Sequence, residues 1–436
     1  LFDFIHEPFI SDAPIGPNMN IKFKEQVIKD TFYAVEPLNK LLMVFNLSCV
    51  YRKDNKIVVS CSYLRTFIHI FVFGAVNFFF LIHKINRLDG VRRNTIVKFS
   101  DSIQMTYLLG YFMHIMDLFQ VYKYGREKYL KYYEVFDSID KILGMKYYDE
   151  IRKLVLAIVI VASVMSFTSS VFDYYAWFVG YGFIPPSLYS LDYFYFYLNI
   201  LTLFDGVGHV VQLEFRLKVM KNLLRDYYTS NGIKSIDDDQ VITVQSGKHS
   251  NRLESLQSLS HNRYIEAIDF NRCYLLLLEQ AKYINNKFGF RVVAFCINSL
   301  INMITLINIA IRLVISNRLI LIDVIFQLTP YGAVYLPAIS SVIRFMNWAI
   351  INCIVAYRAE KTYRQGEEVL NIIDLILVNK NNSCKLKVTL TELRNLIVTR
   401  PIKYHAAYFF NLDFTILVSV SSVVVTYTII MLQSMQ

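Results

Sequence analysis

Charge is scarce in this chain. Asp, Glu, Lys and Arg make up 18% of its 436 residues, where a soluble domain carries about a quarter. Cysteine is scarce too. The six Cys and eight His do not cluster at metal-ligand spacing, so no metal site is expected. There is no Walker loop, no GxGxxG after a strand, no HExxH and no GxSxG. Enzyme chemistry and a bound cofactor are therefore not expected. No run of Arg at every third position suggests a voltage sensor, and no internal repeat of the transporter kind is visible. The first forty residues lack the short apolar core and cleavage site of a signal peptide. Leu1 stands where a start Met would, so the true N-terminus is expected upstream.

Apolar mass is what the chain has: 55% hydrophobic and 15% aromatic residues. A membrane span needs about 20 mostly apolar residues, because the bilayer core is about 30 Å thick and a helix rises about 1.5 Å per residue. Seven stretches are predicted to be spans: 63–85, 97–122, 151–178, 189–213, 288–315, 335–357 and 412–435. The second is the most polar, holding Asp101, Gln104, His114 and Asp117. His69, His114 and His209 fall within spans and read as hydrogen-bonded packing residues.

Orientation follows from Lys and Arg between the spans. The segments 1–62, 123–150, 214–287 and 358–411 are basic, as in Lys22, Lys128, Arg216 and Arg358. The third-to-fourth connection, GYGFIPPS, has no basic residue. Arg87, Arg92 and Arg93 are an exception to this pattern. The balance predicts the N-terminus in the cytoplasm and the C-terminus outside, opposite to G-protein-coupled receptors. The net charge of +10 then belongs to cytoplasmic segments facing the lipid bilayer, and no nucleic-acid partner is expected. No Cys lies in a predicted outer loop, so no extracellular disulfide is expected.

The basic segments are more than linkers. Leu386, Leu390, Leu393 and Ile397 step by four, three and four, one face of a helix. Val369, Ile372, Ile373 and Ile376 mark another. Residues 358–411 are predicted to form an anchor of cytoplasmic helices, with the leucine face joining subunits; helices lying on the inner leaflet are the alternative. The polar, Ser-rich stretch from Ser230 reads as a flexible loop.

The last span carries a stripe. Ser419, Val423, Thr426, Ile430 and Gln433 share one helix face, which is small, hydroxylated or amide-bearing apart from its apolar members. Leu417, Val424, Ile429 and Leu432 stand opposite. A polar stripe on a membrane helix either meets another helix or lines water. Ile430, between Thr426 and Gln433, fits a hydrophobic constriction that gates by dewetting. One helix cannot enclose a pore, so the pore alternative requires a cyclic oligomer.

Thr426-Tyr427, five residues and then Gln433 resembles the signature that ends the seventh span of insect gustatory receptors, relatives of the insect odorant receptors. The lead-in RPIKYHAAYFFNLDFTILVSVSSVVV is similar as well, and the predicted topology agrees. The resemblance implies an all-α membrane protein and a homotetramer around a central pore. It implies a ligand-gated cation channel, lined by 412–436 and passing sodium, potassium and calcium. It places the ligand in the outer half of 63–357. By this resemblance Gln433 is the polar pore residue, Ile430 the adjacent gate, and Thr426 and Tyr427 a packing pair. Ser434 stands where the family usually has Phe, so closure is expected to rest on Ile430 or Gln433.

The outer ends of the spans are rich in rings and carboxylates. Candidate ligand-binding residues are Tyr107, Asp173, Tyr174, Trp177, Asp192, Tyr193, Gln327, Tyr331, Trp348 and Asn352. Rings with a few polar groups suit a small flat or amphipathic molecule. An interfacial aromatic belt is the other reading of the tyrosines. Asp173 and Asp192 are harder to assign to a belt, because a carboxylate at membrane depth is costly unless paired or hydrated. The expected ligand is a bitter-type plant metabolite, with a fructose-type sugar as the alternative. An odorant receptor subunit or a transporter is the further alternative. The expected location is the plasma membrane of chemosensory neurons.

Overall fold

A computed structural model describes residues 29–53, 55–60, 62–88, 95–181, 183–230, 252–323, 335–378 and 384–433. Gln327, Tyr331, Ser434 and the Ser-rich stretch 231–251 lie outside them. Two helices are short, α1 (Thr31–Val44) and α8 (Cys384–Thr399). The long ones are α2 (Tyr63–Leu88), α3 (Thr95–Leu143), α4 (Tyr148–Tyr181), α5 (Ile184–Ser230), α6 (Arg252–Asp323) and α7 (Leu336–Val378), with α9 (Thr415–Gln433) last. Two small antiparallel hairpins complete the described structure. They are β1 (Val50–Lys53) with β2 (Lys56–Val59), and β3 (His405–Ala406) with β4 (Phe410–Asn411).

Local chemistry sets the helix ends. Asp30 caps α1 by accepting the Tyr33 amide at 2.8 Å. Asn46, at φ 59°, closes α1 in the left-handed conformation that Asn tolerates. Gly144, at φ 58°, does the same after α3. Asp413 accepts the Thr415 amide at 2.9 Å and starts α9.

Among the described residues, five helices contain stretches long and apolar enough to cross a membrane: Tyr63–Ile82, Tyr148–Val179, Ser190–Asp226, Ile268–Val314 and Leu336–Val378. Thr415–Ile430 is a shorter apolar helix, and α3, which holds the expected second span, is not among the five. Among the described residues, the basic segments 123–150 and 214–287 between the expected spans are largely helix, because α3, α5 and α6 run on past their apolar stretches.

The centre of the bundle is α5, packed by α3, α4, α6 and α7. Its stretch Ser190–Asp226 is far more buried than that of α2, whose rings Phe67, Phe71, Phe78 and Phe79 face outward. One face of α5 is nonetheless polar: Asn199, Thr202, Asp205, His209, Gln212 and Arg216 step by three or four residues. Each meets a partner on α3 or α6. Lys287 pairs with Asp205 at 3.0 Å. His209 Nδ1 and Tyr132 Oη stand 2.5 Å apart, and Tyr132 donates to Gln212 at 3.2 Å. Arg216 grips Asp140 through two nitrogens at 2.8 and 2.7 Å. Such pairs fix which helix faces meet; losing one partner costs about 3–5 kcal/mol because it strands a buried charge. His209 is thus the hydrogen-bonded packing residue expected. His114 is not: neither ring nitrogen has a partner among the described residues.

The leucine face of α8 also departs from expectation. Leu386, Leu390, Leu393 and Ile397 are buried within the chain, which seats α8 on α6 and α7. Val369, Ile372, Ile373 and Ile376 of α7 are buried with them. That face fills a core within the chain itself and is not free to join it to another.

The β3–β4 turn fastens the start of α9 to the bundle. Asn285 donates to the Lys403 carbonyl at 2.9 Å and accepts the His405 amide at 3.1 Å. Gly289 makes room for the turn: a Cβ there would stand 2.9 Å from the Ala407 nitrogen. Burial pushes the Tyr404 hydroxyl well above the usual tyrosine range and lowers the His405 imidazole, which stacks on Tyr408 at 3.9 Å.

Candidate functional site

Serine recurs on one face of α4. Ser163, Ser166 and Ser170 step by three and four, and small side chains leave space where larger ones would close it. A cavity of about 690 Å³ occupies that space. Its walls are Ser163, Val164, Ser166, Phe167, Ser170, Val171 and Tyr174 of α4, with Tyr193, Phe194 and Tyr197 of α5. The Ser166 hydroxyl is buried with no hydrogen-bond partner among the described residues. A polar atom in that condition calls for a water or a ligand group.

One wall of the cavity is held by a charged cluster. Asp173, 1% exposed, accepts the Tyr193 hydroxyl at 2.7 Å and the Arg344 guanidinium at 3.0 Å, both on Oδ2. The Arg344 guanidinium carbon also lies 4.9 Å from the centre of the Tyr193 ring. One residue from each of α4, α5 and α7 is thereby locked together. The pair carries no net charge, so Asp173 is already answered before any ligand arrives. Tyr174 sits 3.2 Å from the Ser187 hydroxyl, oxygen to oxygen.

Of the candidate ligand residues, Asp173, Tyr174 and Tyr193 come together here. Trp177 and Asp192 lie on α4 and α5 in this neighbourhood of the chain, half-buried. Trp348 and Asn352 belong elsewhere. Trp348, 2% exposed, packs against Phe196 and Phe295 with ring centres 4.6 and 5.5 Å away. Asn352 donates to Ser299 at 2.6 Å and to the Trp348 carbonyl at 2.9 Å. Neither lines the cavity between α4 and α5. Tyr107 lies on α3 with its side chain outside the description, as are Gln327 and Tyr331 entirely. Arg344 and the serine row were missed. The serine spacing was the available signal, whereas nothing local in the sequence says which carboxylate Arg344 meets.

The last helix leans on α6 and α7 through Ile416, Val420 and Val424. Its other side is open. Ser419, Thr426, Ile430 and Gln433 are all exposed, Ile430 at 52% and the neighbouring Tyr427 at 51%. Thr426 and Ser419 satisfy their hydroxyls on the carbonyls of Ser422 and Thr415, at 2.8 and 3.0 Å. Most of the stripe predicted from sequence therefore faces away from its own bundle, and Val423 alone among its members is half-buried. Among the described residues, no other helix of the chain packs over the exposed members of the stripe.

The insect olfactory receptor OR5 from Machilis hrabei shares the fold, with a TM-score of 0.54 at 10% identity over 92% of this chain and 97% of that one. The structure of the same receptor in complex with eugenol gives a TM-score of 0.48 at 10% identity, over 93% and 100%. No curated protein matches the sequence. The family described as 7tm Chemosensory receptor matches residues 37–436. With apolar helices fit to cross a membrane and a match along nearly its whole length, this chain belongs to the 7tm chemosensory receptor family.

Proposed function

We propose that the chain is one subunit of a tetrameric taste receptor, a non-selective cation channel opened by a small plant-derived molecule of bitter type. Seven spans run from a cytoplasmic N-terminus to an extracellular C-terminus in this reading, within the plasma membrane of a chemosensory neuron. The observation that carries it is the outward face of α9. The Gln433 amide at membrane depth must meet protein or water, and among the described residues no helix of the chain covers the stripe. Four copies around an axis would turn the stripe into a water-filled lining, with Thr426 and Gln433 as polar rings and Ile430 as the apolar constriction between them. Sodium, potassium and calcium would pass.

The ligand would enter the cavity between α4 and α5. Asp173 is neutralised by Arg344, so a cationic ligand gains little from it. Rings at Phe167, Tyr193 and Phe194, together with the free hydroxyl of Ser166, suit a neutral aromatic molecule carrying one or two hydrogen-bonding groups. The row of serines keeps a fructose-type sugar as the second reading.

The test is Ile430→Ser recorded in a planar bilayer or an oocyte. Placing a hydroxyl at the constriction should wet it and give current without ligand. A variant that reaches the surface yet stays silent at rest and opens normally would place the gate elsewhere.

A further inference from the structure

The cavity between α4 and α5 has an open edge. Val164, Phe167 and Val171 line it, yet Phe167 is 73% exposed and the two valines are more than half exposed. All three belong to the apolar stretch Tyr148–Val179. On the α5 side Phe194 stacks on Phe73 of α2, ring centres 5.3 Å apart. Among the described residues no other helix lines the space. In a bilayer such a rim meets hydrocarbon, so the cavity is a groove continuous with lipid rather than with water.

Its floor does not suit hydrocarbon. The Ser163 hydroxyl makes only a long contact, 3.5 Å from the Tyr197 hydroxyl. The Ser166 hydroxyl is buried and has no partner among the described residues. A helical serine can return its hydroxyl to a carbonyl of the preceding turn, as Ser169 does at 3.0 Å. Ser166 does not, and a lipid acyl chain offers it nothing to bond. The occupant that satisfies both rim and floor is apolar over most of its surface and carries a hydroxyl or carbonyl.

We propose that this groove takes its ligand sideways from the bilayer. An acyl chain of the lipid fills it at rest, and a membrane-soluble amphipath of the alkylphenol kind displaces that chain and bonds Ser166. The concentration that governs binding is then the concentration in the membrane. A sugar, which does not dissolve in lipid, is not a ligand of this groove. The inference rests on the reading of this cavity as the ligand site, but its test reads occupancy and not current.

The chain has two tryptophans, Trp177 and Trp348. In the full chain carrying Trp177→Phe, the buried Trp348 indole is the reference. Adding Phe194→Trp puts a second indole on the wall of the groove. Emission is compared in nanodiscs of plain phosphatidylcholine and of phosphatidylcholine brominated in mid-chain, since bromine quenches an indole only near contact. The Phe194→Trp indole should be strongly quenched and Trp348 should not. 4-Propylphenol should restore the lost emission. Across 4-ethyl-, 4-propyl- and 4-butylphenol the half-effective concentration should fall about fourfold per added methylene. Fructose should restore nothing, and Val161→Trp, on the exposed face of α4 outside the groove, should stay quenched. A Phe194→Trp indole no more quenched than Trp348 would overturn the lipid route. Recovery with fructose, no recovery with any of the phenols, or equal recovery at Val161→Trp would overturn the ligand class. Should Phe194→Trp fail to fold, Tyr197→Trp on the same wall carries the same readings. Displacement by the phenols in a chain that passes no ions would overturn the channel reading and support this one.

Discussion

Asp173 on α4 and Arg344 on α7 stand 3.0 Å apart, oxygen to nitrogen, with the Tyr193 hydroxyl 2.7 Å from the same oxygen. The carboxylate is almost fully buried and the guanidinium nearly so. An unpaired charge in such surroundings is costly, and a paired one roughly breaks even with an apolar substitute. The pair therefore contributes mainly by fixing how α4, α5 and α7 meet around the cavity.

Removing one partner should expose that asymmetry. Arg344→Gln should destabilise the protein by about 3–5 kcal/mol, because Asp173 is stranded. Adding Asp173→Asn to the same chain should recover most of the loss. Thermal unfolding in nanodiscs measures both, and a double variant no better than the single one would show that the pair does not act as a unit.

The Ser166 hydroxyl should serve the ligand and little else. It has no partner among the described residues, so Ser166→Ala should change stability by less than about 1 kcal/mol. Dose–response curves at matched surface expression should move to higher ligand concentration by roughly tenfold, the equivalent of about 1.4 kcal/mol. An unmoved curve would take Ser166 out of the site.

Aspartate at Leu390 and Leu393 should unfold the lower helices. Both side chains are buried against α6 and α7 of their own chain, and burying unpaired carboxylates there costs several kcal/mol. Expression and protease resistance of the whole subunit should fall together. Intact, protease-resistant subunits that merely separate on native gels would contradict the placement of this face inside the subunit.

Periodicity made much of this legible. The leucine steps of α8 and the stripe of α9 are patterns of a single helix, and both faces exist. What each face touches was not legible. Leu386 to Ile397 could meet a neighbouring subunit or their own, and only the course of α6 and α7 decides. The ring and carboxylate cluster of α4 and α5 located Asp173, Tyr174 and Tyr193, which come together. Trp348 carries the same aromatic signature and sits instead between Phe196 and Phe295, because burial depends on helix rotation that composition does not record. Arg344 was passed over for a related reason. Its partner lies 171 residues away in sequence, and a long-range ion pair has no local pattern.

The central claim is that α9 lines the path of the ions, and Gln433 tests it most directly. Gln433 is exposed on the open face of the helix, and in the proposed tetramer four amides ring the path. Single-channel recordings of Gln433→Ala, at surface expression equal to the parent, should show an altered unitary conductance or an altered ratio of sodium to calcium permeability. Unitary conductance and selectivity identical to the parent would contradict the pore assignment.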